Sequence, residues 1–214
     1  MNKNLSKRIF TSIILSTVLL ICLFFHKYSW LILIIIASVI CFFEFSKMIN
    51  KIWKKKEFTK NLIKLTCFFY LLLFIYSAYF LYEISLFNLL LFILICIFSD
   101  IGGYVIGKTI GGKKLTKISP NKTISGSIGS FLFSIMPIFI FNYKITEPLI
   151  EVIFSCFAIS LVCQLGDLLI SYFKRRAKVK DTGSILPGHG GILDRIDGII
   201  FGLPFGLLIL ILFF

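Results

Sequence analysis

The sequence predicts an all-α, polytopic transmembrane bundle of about seven spanning helices with a cytoplasmic amino terminus, and three observations predict it. Hydrophobic residues make up 58% and charged residues 15% of the 214 positions, with mean hydropathy +0.97, outside the usual composition of a soluble domain. Apolar runs recur at the length a helix needs to cross hydrocarbon, about 20 residues at ~1.5 Å each. The basic residues are sorted onto alternate connections between those runs.

In chain order the runs lie near Ile9–Phe25, Trp30–Phe45, Leu65–Tyr82, Ile84–Ile106, Ile128–Tyr143, Leu149–Tyr172 and Ile196–Phe214. Unsatisfied backbone groups are costly in lipid and strand alternation is absent, so the runs are expected as helices rather than barrel strands. Lys3, Lys7 and Arg8 precede the first run as in a signal peptide, but no small-residue cleavage site follows it, and it is read as a helix. Cys22, Cys41, Cys67, Cys96, Cys156 and Cys163 all fall within apolar runs with no Cys-x-x-Cys spacing, which predicts small buried hydrophobes rather than a disulfide framework.

Net charge +13 raises nucleic-acid binding, and the distribution of charge argues against it. With the amino terminus inside, 21 of the 23 basic residues fall on cytoplasmic connections and only Lys27 and Lys144 fall outside. The seven lysines from Lys47 to Lys64 read first as an orientation signal and, compatibly with it, as a basic platform for anionic lipid, each charge contributing about 1 kcal/mol near the surface.

A carboxylate at the centre of a spanning helix costs ~2.5–3.5 kcal/mol even on lenient scales, so one found there marks an interior, functional surface. Asp100 and Asp167 are such residues, each toward the cytoplasmic end of its run; Ser171 and Gln164 share a helix face with Asp167. A buried carboxylate paired with lysine for bundle specificity is the alternative for both. Glu44, which closes the second run beside Lys47, is expected to be interfacial.

Two long cytoplasmic connections hold most of the remaining polar chemistry. GKTIGGKKLTKISPNKTISG offers Lys113, Lys114, Lys117, Ser119, Lys122 and Thr123 among glycines, the makings of a polyphosphate site without the residue order of a P-loop. SYFKRRAKVKDTGSILPGHGGILDRID sets Lys174, Arg175, Arg176, Lys178 and Lys180 beside Asp181, His189, Asp194, Arg195 and Asp197. Carboxylates beside a phosphate-binding cluster fit a hard divalent cation such as Mg²⁺. Capping of the last helix is the alternative for Asp194 and Asp197, and a turn for His189, otherwise a proton or phosphate donor.

Ser171–Asp197 resembles the signature of the phosphatidate cytidylyltransferases (CDP-diglyceride synthetases). Its fixed positions are filled by Ser171, Lys174-Arg175, Lys180-Asp181, Gly183, Leu186-Pro187, His189-Gly190-Gly191, Asp194-Arg195 and Asp197. A second block is similar to the same family through Ser99-Asp100, Tyr104, Gly107, Lys113, Ser119-Pro120 and Lys122-Thr123; it departs at Ser125, where many members carry Glu. The resemblance covers roughly Phe98–Gly206 and suggests a division into residues 1–97, amino-terminal helices with a basic loop, and residues 98–214, a catalytic membrane domain.

The resemblance implies transfer of CMP from CTP to phosphatidic acid, giving CDP-diacylglycerol and pyrophosphate. It implies Mg²⁺ on Asp167 and Asp194, with Asp181 and Asp197 as further candidate ligands and a second, monovalent cation such as K⁺ in a two-metal centre. Lys122, Lys174, Arg175, Lys180 and Arg195 would bind the phosphates of CTP and lipid, aided by the helix end at Asp194. Ser119, Thr123, Ser171, Asp100 and Tyr104 complete the implied substrate site, with Lys122 and His189 taking part in the chemistry. The cleft is expected between the fourth, sixth and seventh spans. The implied setting is the inner membrane of a bacterium with the site facing the cytoplasm; no nucleic-acid partner is implied, and a homodimer is compatible with the reading. An ion-coupled transporter and a related lipid kinase or lipid-phosphate cytidylyltransferase are the competing functions.

Overall fold

A computed structural model describes residues 3–141, 148–186 and 190–213, with side chains from Thr11 onward. Among these residues the chain forms eight helices: α1 (Lys3–Phe25), α2 (Lys27–Ile52), α3 (Glu57–Ile84), α4 (Leu86–Thr109), α5 (Ile124–Ser134), α6 (Met136–Phe141), α7 (Leu149–Arg176) and α8 (Leu193–Phe213). The only extended pairings among them are two isolated bridges, Lys114 with Thr123 and Leu186 with Gly190. Six segments are long and apolar enough to cross a membrane (α2, α3, α4, α5 with α6, α7 and α8), and α1 adds the shorter apolar stretch Thr11–Phe25. The protein is a polytopic helical membrane protein.

Boundaries move where local chemistry outweighs hydropathy. The third run extends back to Glu57, whose carboxylate meets Lys60 at 2.5 Å, so part of the basic platform is helical. The fifth run starts at Ile124 rather than Ile128, because Thr123 caps it by accepting the Gly126 N–H at 3.1 Å. That run also breaks at Ile135, two residues before Pro137, which lacks the N–H an unbroken helix would use.

The described chain divides into two compact units, Met1–Glu83 with Phe173–Ile196, and Ile84–Tyr172 with Asp197–Phe214. In the first, the core is built from Trp30, Ile34, Cys41, Phe45 and Met48 of α2 with Leu71, Phe74, Ala78 and Leu81 of α3. The Trp30 indole N–H donates to the Ala78 carbonyl at 3.1 Å, meeting its need for a partner in an apolar setting. Leu65, Phe69, Leu72, Leu73 and Tyr76 of α3 stay exposed, a surface suited to acyl chains rather than water. At the α2 terminus Trp53 packs near Phe173 (centroids 6.4 Å) and under the Arg176 guanidinium at 5.1 Å.

The second unit is held by small residues, which allow the close backbone approach that membrane helices rely on. A methyl group at Gly102 of α4 would collide with the Gly129 carbonyl and Phe133 of α5, and one at Gly107 would press on Thr123 at 3.1 Å. Earlier in α4, Cys96 and Ser99 meet Cys163 and Ser160 of α7, with Sγ···Sγ 3.1 Å and Oγ···Oγ 2.8 Å. Four of the six cysteines are buried and all are free thiols, as the run positions imply.

Candidate functional site

The connection between α4 and α5 is a tight hairpin built from its own backbone. Gly111 and Gly112 take positive φ (65° and 106°), a turn of the chain that side chains resist. The Leu115 N–H then donates to the Lys122 carbonyl at 2.8 Å, and the Ile124 N–H to Lys113 at 3.0 Å. Ser119-Pro120-Asn121-Lys122 closes the tip, with the Lys122 N–H donating to the Ser119 carbonyl at 3.0 Å and proline at the position that favours its fixed φ. Ser125, at the family's departure point, ties this hairpin to α5 by donating to the Gly111 carbonyl and sharing a 2.9 Å hydrogen bond with Thr123.

The hairpin turns Lys122 onto α7, where its ammonium forms an ion pair with Asp167 Oδ2. Asp167 Oδ1 accepts from Ser171 at 3.3 Å, one helical turn on. Around this pair opens a cavity of about 330 Å³ lined by Asp100 and Tyr104 of α4, Ser119, Lys122 and Thr123 of the hairpin, and Ser127 of α5. Gln164 and Asp167 of α7 complete the wall, and Ser127 donates to Gln164 Oε1 at 2.6 Å. The cleft expected between the fourth, sixth and seventh spans is thus lined, in this unit, by α4, α5 and α7. The difference follows from the glycine seam, which brings α5 against α4 where a larger residue would hold it away.

The second cluster belongs to the other unit. The Asp194 carboxylate accepts from Lys174 Nζ at 2.7 Å, the Thr182 N–H at 2.8 Å, the Thr182 hydroxyl at 2.9 Å and the Gly191 N–H at 3.2 Å. Lys174 lies in the last turn of α7 and Thr182 and Gly191 in the loop before α8, so Asp194 organises that loop rather than capping its own helix. The helix end is filled by Glu44, which accepts from the Ile192 and Leu193 N–H groups at 3.1 and 3.0 Å. Glu44 is 2% exposed, so its expected interfacial role is corrected. Glu44 thus already engages the first amide of α8, Leu193, and the Ile192 amide just before it.

Six of the sequence-derived site residues, Asp100, Tyr104, Ser119, Lys122, Thr123 and Asp167, line one cavity. Lys174 and Asp194 meet in the other unit. Asp181 lines a separate polar cavity of about 460 Å³ there, with Lys47, Lys51 and Thr182. Arg175, Lys180 and Arg195 are exposed, and Asp197, 7% exposed, lies in the second unit with its Oδ1 3.0 Å from the Gly198 N–H. His189 falls outside the described residues. Sequence reasoning passed over Thr182 and Ser127 and set Glu44 at the interface, although Glu44 carried the same signal as Asp100 and Asp167: a carboxylate within reach of an apolar run.

The described residues contain no group of three or more His, Cys, Asp or Glu side chains arranged as a metal cage. Mg²⁺ bound with a nucleotide needs only one or two carboxylates, with phosphates and water supplying the rest. Asp167 fits that requirement: an oxygen donor on a polar cavity wall, already turned toward a cationic group.

Residues 53–213 match the sequence profile described as the Cytidylyltransferase family, three quarters of the chain. The chain belongs to that family. Curated relatives named phosphatidate cytidylyltransferase include those of Helicobacter pylori, 42% identical over 111 residues, and Bacillus subtilis, 43% over 118. These matches cover 51% and 54% of this chain but only 42% and 44% of those proteins. A Rickettsia bellii relative of the same name is 48% identical over 115 residues, 49% of each chain. The chain therefore spans about half the length of the curated cytidylyltransferases it matches.

Proposed function

We propose that the protein is a CTP:phosphatidate cytidylyltransferase, transferring CMP from CTP to phosphatidic acid to give CDP-diacylglycerol and pyrophosphate. The observation that carries this reading is the cavity on which the hairpin lysine and the α4 and α7 carboxylates meet. It combines a cation for phosphate with acidic oxygen donors at the end of lipid-facing helices. The names of the family's relatives supply the substrate pair.

The reaction joins two phosphate groups. An ionised oxygen of the phosphatidate monoester attacks the α-phosphorus of CTP, the bond from that phosphorus to the bridging oxygen breaks, and pyrophosphate leaves with the electron pair. The lipid phosphate is itself the nucleophile, so no serine or cysteine nucleophile is required. The work left to the protein is holding two anions in line and neutralising their charge. Lys122 supplies one fixed ammonium, oriented by Asp167, while Ser119 and Thr123 offer hydroxyl donors on the same wall and Tyr104 an aromatic face.

Lys174, Arg175, Lys180 and Arg195 are assigned to phosphate binding, with Asp100 and Ser171 as further substrate-binding residues and His189 donating to a phosphate oxygen. Asp167 and Asp194 are the proposed Mg²⁺ ligands, Asp181 and Asp197 further candidates, and K⁺ the proposed second cation. When bound, Mg²⁺ would neutralise charge on the transferred and leaving phosphates. The proposed setting is a bacterial inner membrane with the site on the cytoplasmic side, in keeping with the basic connections, and a homodimer is the proposed assembly.

The test is purified protein in phosphatidate-containing vesicles with CTP and Mg²⁺. The reading requires CDP-lipid and pyrophosphate to appear in equal amounts, and both to vanish without phosphatidate. Pyrophosphate release independent of lipid would refute it.

A further inference from the structure

Glu44 sits on α2, nine residues before the segment that matches the family begins at residue 53. It is a carboxylate at 2% exposure, and among the described residues no lysine, arginine or histidine forms a salt bridge with it. Such a group is costly to bury unless its lone pairs are taken up. Here they are taken up by one segment: Oε2 accepts from the Thr182 hydroxyl at 2.9 Å and the Leu193 N–H at 3.0 Å, and Oε1 from the Ile192 N–H at 3.1 Å.

The segment is shaped around this carboxylate. A methyl group at Gly183 would collide with the Glu44 carboxylate, and one at Gly191 would collide with it and with Thr182 Oγ1. Two signature glycines are thereby accounted for as the room Glu44 occupies. The Thr182 hydroxyl lies 2.9 Å from Glu44 Oε2 and 2.9 Å from Asp194 Oδ2, and its single proton is shared between the two carboxylates, so one side chain couples the buried glutamate to the signature aspartate. The Thr182 N–H and Lys174 fix the same aspartate from other directions, at 2.8 and 2.7 Å.

We infer that Glu44 is a positioning residue for the reaction: acting through Thr182 and the Ile192–Leu193 amides, it sets the placement of Asp194 and of the loop that carries the signature. A purely structural staple would hold the loop with no bearing on turnover by the folded enzyme. The Thr182 bridge makes the difference, because it ends on the carboxylate rather than on inert backbone. The inference rests on the cytidylyltransferase reading for its activity arm.

Glu44→Gln tests it, since whichever way the amide turns, its NH₂ faces the backbone N–H of Ile192 or of Leu193. Loss of a group that orients a ligand residue typically lowers activity about 10–100-fold. That fall is expected in kcat for CDP-lipid formation, measured per folded protein, with KM for CTP little changed. Thr182→Val should reproduce the fall and Thr182→Ser, which keeps the hydroxyl, should restore most of the rate. Amide hydrogen exchange at residues 182–186 and 190–193 supplies a readout independent of turnover, and it should quicken in Glu44→Gln while the α4–α5 region stays unchanged. Wild-type kcat in both Glu44→Gln and Thr182→Val would overturn the positioning role, and unchanged exchange in Glu44→Gln would overturn the hold on the loop. A wild-type protein that forms no CDP-lipid would instead count against the proposed function, with the exchange arm still deciding whether Glu44 fixes the segment.

Discussion

Replacing Lys122 by methionine removes the ammonium that the hairpin delivers to Asp167 while keeping most of the apolar stem. The two side chains are 28% and 27% exposed, so their pairing is neither fully screened nor fully desolvated. A hydrogen bond to a charged group contributes about 1.5–3 kcal/mol net. At about 1.36 kcal/mol per factor of ten, losing one such contact to a phosphate in the transition state lowers kcat/KM about 10- to 150-fold. The variant also leaves Asp167 without its cation on the cavity wall, where an unpaired carboxylate repels incoming phosphate, so the expected loss lies toward the upper end. Lys122→Arg keeps the charge in a planar fork and should fall between the two. The assay is the initial rate of CDP-lipid formation at varied CTP in phosphatidate vesicles, normalised to monodisperse protein. A rate for Lys122→Met within about twofold of wild type would refute the assignment of the cavity to phosphate binding.

Asp167→Asn and Asp194→Asn should each abolish turnover while the protein still inserts and elutes as a folded species; wild-type rates in either would show the ligand assignment to be wrong. Gly102→Ala is expected to lower thermal stability in detergent by about 1–3 kcal/mol, because the added methyl group overlaps the Gly129 carbonyl and Phe133; an unshifted melt would argue against close α4–α5 packing. Lys55→Gln with Lys56→Gln should weaken binding to anionic vesicles by about 2 kcal/mol at most and leave kcat nearly unchanged, and a dead enzyme would instead place the basic platform in the active site.

The helical membrane class was legible because lipid leaves few ways to satisfy a backbone, and composition alone signals that solvent. The cavity residues were legible for a related reason: Asp100 and Asp167 are costly where they sit, and Lys122 follows a Ser-Pro turn that dictates where the chain reverses. The break at Ile135 was less visible, since hydropathy runs on across it and only Pro137 marks the interruption. Glu44 was misread because proximity in sequence, to Lys47, stood in for proximity in space. Its true partners, Thr182, Ile192 and Leu193, lie more than a hundred residues away. The signature glycines Gly183 and Gly191 carry no sign in the sequence of what they do, which is to make room for that carboxylate.

The fate of isotopic label from CTP tests the central claim most directly. With CTP labelled at the α-phosphate, the account predicts that label enters the lipid fraction and depends on phosphatidate and on Asp167, while label at the γ-phosphate leaves entirely as pyrophosphate. Transfer of γ-label into lipid would make the protein a kinase, and no transfer of either label in vesicles holding both substrates and Mg²⁺ would contradict the account outright.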